Sequence, residues 1–199
     1  MSYLPSRDYR KGGVKNEKKR NICVIGGRRS GKTKWLINHI TKQKAKEILV
    51  FSINISSIKI ISDSLEERGF VRIHDFYLKK GKKSVRLNIY SETTFQGLKA
   101  DVVYYDEPEM ADKLFKNISQ YYDQVPFIMQ QIAVGSIKDL SPSYFKKFFE
   151  KAKHKYVLDT PIVKKHVNWL ANMKIYELLP SYVFDQEGKF KKLKRKIQK

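Results

Sequence analysis

The eight residues Gly26-Gly27-Arg28-Arg29-Ser30-Gly31-Lys32-Thr33 constrain the fold of this chain more than any other stretch. They follow a short apolar run, Asn21–Ile25. They precede a segment, Lys32–Lys44, in which Trp35, Leu36, His39 and Ile40 recur at helical spacing. Glycine, four residues, then Gly-Lys-Thr between a buried strand and a helix is a phosphate-binding loop. The glycines permit a tight turn whose N–H groups face phosphate oxygens, Lys32 offsets their charge, and the Thr33 hydroxyl is suited to Mg²⁺. The helix starting near Lys32 points its positive end at the same place. ATP is the expected ligand, held by Gly26, Gly27, Arg28, Arg29, Ser30, Gly31, Lys32 and Thr33.

The rest of the pattern predicts an α/β fold. Ile48–Phe51, Asp101–Tyr105, Phe127–Val134 and Lys155–Leu158 read as further core strands. Ile58–Glu67, Pro108–Tyr122, Ser141–Ala152 and most of Pro161–Leu178 read as helices. Strands alternating with helices imply a mostly parallel central sheet covered on both faces. Val71–Phe76 and Val85–Tyr90 alternate differently and predict an inserted β-hairpin whose basic tip is Leu78–Lys83. With 199 residues there is room for one such domain, expected over 21–180, between a flexible basic lead-in at 1–20 and a basic tail at 181–199.

A nucleotide site of this kind needs a carboxylate at the end of a buried strand to hold the metal through water. Val102-Val103-Tyr104-Tyr105-Asp106 supplies it. The next residue, Glu107, adds a second carboxylate that orients and deprotonates a water attacking the γ-phosphate. Hydrolysing ATPases need that group and nucleotide kinases do not. Thr33 and Asp106 are therefore the expected metal residues, and Glu107 and Lys32 the expected catalytic ones. Gly135-Ser136 follows the fourth core strand, where Ser136 is either a γ-phosphate sensor or simply part of a turn.

The net charge of +21 points to a polyanionic partner. Residues 1–20 carry seven Lys/Arg against two acids and residues 189–199 seven against none, so the ends hold more than half of the excess. Those ends read equally as solubilising tails, but the middle is basic too. The candidate DNA contacts are Lys79, Lys80, Lys82 and Lys83 at the hairpin tip and Lys191, Lys192, Lys194 and Arg195 in the tail. The single cysteine, Cys23, lies in a core strand, which excludes an internal disulfide and suits a reduced, intracellular setting. Four histidines without ligand spacing argue against zinc. No apolar run approaches the ~20 residues of a membrane span, so a soluble protein with no membrane partner is expected.

Together these motifs resemble the ATPase domain of the large terminase subunit, the motor that packages viral double-stranded DNA. The loop is close to that family's loop, which often carries an arginine where Arg28 stands. Leu87–Glu107 resembles its run from a hairpin strand through G-x-x-A-D into an Asp-Glu strand end. Ile132–Phe149 resembles its post-strand coupling segment. The resemblance covers about residues 21–160 and implies a RecA-like P-loop NTPase of the additional-strand class. It further implies a homo-oligomeric ring acting on double-stranded DNA, with Arg28 stabilising the transferring phosphate in its own or a neighbouring subunit. A viral portal or capsid protein is the implied docking partner, in a host cell during virus assembly. Arg29 has no such precedent and is expected to face solvent or DNA.

The chain departs from that family in ending about 40 residues after its last core strand, without the acids of a nuclease domain. The expectation is an ATPase domain alone or a compact packaging ATPase that cuts nothing. Two other readings stand beside the motor. One is a nucleotide or small-molecule kinase. The other is a P-loop ATPase acting as a nucleic-acid clamp or helicase loader.

Overall fold

The computed structural model describes residues 21–27, 29–92, 95–136 and 143–158, together with the backbone of three short strands at 177–179, 182–184 and 190–192. In chain order the elements begin with β1 (Ile22–Gly26), α1 (Lys32–Lys42), β2 (Glu47–Ser52) and α2 (Ile55–Glu66). There follow β3 (Val71–His74), β4 (Tyr77–Lys80), β5 (Lys83–Ile89) and β6 (Val102–Asp106). A 3-10 turn, Pro108–Ala111, leads into α3 (Asp112–Gln124), then β7 (Gln130–Gly135), α4 (Tyr144–Lys151) and β8 (His154–Leu158). The last three strands are β9 (Glu177–Leu179), β10 (Tyr182–Phe184) and β11 (Phe190–Lys192).

One open sheet runs β3-β4-β5-β2-β6-β7-β1-β8-β9. Every pairing from β5 to β9 is parallel, and only the β3-β4 and β4-β5 pairs are antiparallel. The central strands are apolar throughout because helices cover both faces, so a residue of either parity is buried. Cys23, Ile25, Leu49, Phe51, Val103 and Tyr105 point to one side, where Phe115, Ile118 and Tyr122 of α3 and Phe145, Phe148 and Phe149 of α4 meet them. Ile22, Val24, Ile48, Val50, Val102 and Tyr104 point to the other side, against Leu36, Ile37 and Ile40 of α1 and Ile58, Ile61 and Leu65 of α2. The expected α/β architecture with an antiparallel insertion is the one observed.

Local chemistry sets the helix ends. Asn54 caps α2 by accepting the Ser57 N–H, and Ser143 caps α4 by accepting the Lys146 N–H. After α2, Gly69 takes φ +82, so that its own N–H reaches the Glu66 carbonyl and the Phe70 N–H reaches the Leu65 carbonyl. That pairing satisfies carbonyls the helix leaves open.

Three expectations change. The stretch expected as a basic loop tip is mostly strand: Tyr77–Lys80 pairs with both neighbours, and only Gly81-Lys82 turns, with Gly81 at φ +58. Leu78, fully buried, anchors that strand in the core beside α2. The strand expected from Phe127 begins at Gln130; Phe127 and Met129 before it are exposed, though the Met129 N–H already reaches the Asp101 carbonyl at 2.9 Å, just ahead of β6. Glu177–Leu179, expected at a helix end, pairs with β8 as a strand, because the sheet edge there supplies backbone partners. The remainder of the helix expected over 161–178 lies outside the described residues, as does the lead-in at 1–20. Within the segment read as the basic tail, β10 and β11 pair antiparallel.

Candidate nucleotide site

The site forms where β1, β6 and β7 end on the same edge of the sheet. Gly26 closes β1 with no room for a side chain, since a Cβ there would collide with Ser30 Oγ and lie 2.9 Å from Leu158 Cβ. The Ser30 N–H returns to the Gly27 carbonyl at 3.3 Å, and Arg29 and Gly31 take positive φ values of 60° and 84°. Those left-handed residues curl the loop so that α1 starts directly at Lys32. The first turn of α1 has neither a side-chain cap nor an acidic residue, so its positive end remains available to an anion. Ser30 Oγ is buried without a hydrogen-bond partner among the described residues, as suits a group awaiting a phosphate oxygen.

Lys32 is only 9% exposed, and its ammonium donates to the carbonyls of Gly27 at 2.9 Å and Gly26 at 3.5 Å. Across from it, Asp106 ends β6 at 4% exposure and accepts a hydrogen bond from Ser52 Oγ at 3.0 Å. Tyr90 OH donates to the Asp106 carbonyl at 3.1 Å. Burial raises the Asp106 carboxyl from 3.8 to about 6; Ser52 and Lys32 oppose this rise and Glu107 adds to it. Thr33, in the first turn of α1, and Asp106 are the oxygen donors that could hold Mg²⁺ here, and the desolvated carboxylate would gain from a cation nearby.

Glu107 is half-buried and held at φ 49°, ψ 47°, a conformation costly for a residue with a Cβ and especially so before Pro108. Its N–H is fixed to the Val134 carbonyl at 2.9 Å and its carbonyl accepts the Met110 N–H at 3.0 Å. Such strain gathers at functional positions, where the surroundings hold a side chain in one place. Ser136, just past β7, donates its N–H to Glu109 Oε1 at 2.9 Å. Burial lifts the Glu109 carboxyl from 4.5 to about 7, with its own and the Ser136 N–H pulling it down, Glu107 pushing it up and Lys32 lowering it.

The structure brings Lys32, Asp106, Glu107 and Ser136 to one sheet edge. Arg28 lies outside the described residues, and Arg29 is exposed. Of the hairpin lysines, Lys79, Lys80 and Lys82 are exposed. Lys83 Nζ instead donates to the carbonyls of Thr41 (2.8 Å) and Ile40 (3.2 Å), capping α1, while Lys80 Nζ donates to the Arg68 carbonyl. Lys191 and Lys192 lie on β11, and Lys194 and Arg195 fall outside the described residues. Cys23 is a fully buried core residue whose thiol is pushed well up, chiefly by burial. Sequence reasoning missed Ser52, Tyr90, Glu109 and Asp112; only Glu109 carried a signal, as a third acid two residues beyond Glu107.

Between the loop strand β1 and the carboxylate strand β6 lies one further parallel strand, β7. The fold is similar to that of large terminase ATPase domains. A point mutant of the Thermus phage P74-26 large terminase ATPase domain matches with a TM-score of 0.54 at 14% identity, over 84% of this chain and 78% of that one. Two structures of the large terminase of a thermophilic bacteriophage, one in complex with ADP, match with TM-scores of 0.43 at 12% and 11% identity. Each match spans 81% of this chain but only 40% of the phage protein. No family model and no curated protein matches the sequence. Among the described residues no helix is long and apolar enough to cross a membrane.

Proposed function

We propose that this chain is an ATP-hydrolysing motor that moves double-stranded DNA during viral genome packaging, working as a homo-oligomeric ring. The observation that carries the reading is Glu107, held in a left-handed conformation one residue beyond the buried Asp106, on the same sheet edge as the phosphate loop. A kinase has no use for a strained carboxylate there. In the proposed reaction the loop amides and Lys32 bind the β- and γ-phosphates, Lys32 leaving the loop carbonyls as they enter. Glu107 orients a water and takes its proton as the oxygen attacks phosphorus in line with the departing ADP. Thr33 and Asp106 would hold Mg²⁺, which would supply positive charge to the phosphates. Ser136 senses the γ-phosphate, and Arg28 stabilises charge on it within a subunit or across a subunit boundary.

DNA contacts in this reading are phosphate-directed and made by the exposed Lys79 and Lys82 and by the tail residues Lys191, Lys192, Lys194 and Arg195. Lys80 and Lys83 contribute charge nearby while their ammonium groups hold the fold. A portal or capsid protein is the proposed docking partner. The test is ATP hydrolysis with and without duplex DNA at two salt concentrations, beside the Glu107→Gln variant. Turnover should rise with DNA, most at low salt, and E107Q should bind ATP but lose turnover by about 100-fold or more. Turnover indifferent to both DNA and E107Q would refute the motor.

A further inference from the structure

We propose that Glu109 is a positioning residue that, with Asp112, ties both ends of the 136–145 segment to the turn bearing Glu107. The inference rests on the ATPase reading. Glu109 lies in the 3-10 turn after β6, and its Oε1 accepts the Ser136 N–H at 2.9 Å. Its Oε2 is buried with no hydrogen-bond partner among the described residues and occupies the place a Cβ on Gly135 would need. On its other side Gly135 is closed by the ring of Phe145, whose Cζ would lie 2.7 Å from that Cβ. A glycine ends β7 because the carboxylate and the ring leave no space for more.

Three residues later, Asp112 accepts two N–H groups at the start of α4, Tyr144 to Oδ2 at 2.8 Å and Phe145 to Oδ1 at 2.9 Å. The Glu107 N–H is itself bonded to the Val134 carbonyl at 2.9 Å. Residues 107–112 therefore hold β7 at its last turn, the residue after it, and the first turn of α4. On this proposal, a displacement of Glu107 as the γ-phosphate site fills or empties is carried to both ends of the 136–145 segment by these hydrogen bonds. Glu109 acts by fixing Ser136 and the turn that carries Glu107; its own carboxylate takes no proton from water.

The test compares Glu109→Ala, Glu109→Gln and wild type in the full chain. Gln keeps an oxygen for the Ser136 N–H and Ala does not. E109A should lower kcat by about 100-fold, the scale for misplaced reacting groups, while the Kd for an ATP analogue changes less than about 3-fold. E109Q should keep kcat within about 5-fold of wild type. Hydrogen exchange gives an independent readout. Adding a non-hydrolysable ATP analogue should alter exchange at Ser136, Tyr144 and Phe145 in wild type, and E109A should lose the response at Ser136 while residues 29–33 are still protected. Wild-type kcat in E109A, an E109Q defect equal to that of E109A, or an unchanged Ser136 response would each overturn the proposal. If E109A does not fold, Glu109→Asp, too short to reach Ser136, takes its place with the same expectations. A wild-type chain that binds the analogue without hydrolysing it would sink the motor reading alone, and the exchange result would still decide the role of Glu109.

Discussion

Replacing Asp106 by Asn should abolish turnover and, in the nucleotide-free protein, raise stability. Asp106 is 4% exposed and its carboxyl is raised from 3.8 to about 6, mainly because burial disfavours the charged form. A carboxyl raised on folding costs nothing while protonated in both states, below the unfolded value. The cost appears as pH climbs past 3.8 and is complete above the folded value. At 1.36 kcal/mol per pH unit it reaches about 3 kcal/mol at pH 7.5. Asn keeps an oxygen for the Ser52 hydroxyl and leaves no cavity, so D106N should recover most of that cost. For a domain of this size the gain corresponds to roughly 6–12 °C in Tm. The assay is urea and thermal denaturation of both proteins in EDTA without nucleotide, at pH 4, 5.5 and 7.5. The advantage of D106N should shrink to under about 1 kcal/mol near pH 4. No advantage at pH 7.5, or an equal one at every pH, would refute the claim that a desolvated charge strains this site.

Three further variants separate structural from functional groups. Glu107→Gly should relieve the left-handed strain of about 1–2 kcal/mol and return part of it as unfolded-state entropy, leaving the variant about 0.5–1 kcal/mol more stable by denaturation yet inactive. Lys83→Met should cost about 1–2 kcal/mol of stability by removing the ammonium from the last carbonyls of α1, while lowering DNA affinity less than loss of Lys79 and Lys82 does. By contrast, K79M/K82M should leave Tm alone and flatten the salt dependence of DNA binding by about 1–2 in slope.

The phosphate loop and the Asp106 strand end were legible because each is a local pattern: a glycine spacing fixed by turn geometry, and an apolar run stopping at an acid. The extra hairpin strand was not. In Tyr77-Leu78-Lys79-Lys80 a single buried leucine stands among cations, and the strand is anchored because Leu78 joins the apolar cluster that also holds residues of α1 and α2. Ser52 was invisible for a different reason. It becomes a partner of Asp106 only because β2 pairs with β6, a neighbour relation between strands about fifty residues apart that no spacing encodes. Glu109 and Asp112 likewise acquire their partners from the insertion of β7 beside β6 and the packing of α4 on α3. What could have been read is the conflict inside Asp106-Glu107-Pro108, where proline disfavours helical backbone at Glu107 and the chain nonetheless turns there.

Strain and buried charge in this site have a common origin. Asp106, Glu107 and Glu109 lie within one four-residue stretch, and Lys32 is the cation that lowers the carboxyls of both Asp106 and Glu109. Yet the Lys32 ammonium sits on the Gly26 and Gly27 carbonyls, using main-chain oxygens where a nucleotide offers phosphate oxygens. Two carboxyls raised by desolvation and a serine hydroxyl with no partner among the described residues thus lie around an ammonium that rests on main-chain oxygens. On the proposed function, Mg²⁺ and a triphosphate would bring a cation to the carboxyls and acceptor oxygens to the serine hydroxyl, and the binding energy released there would be available to rearrange residues 107–112 and what they hold.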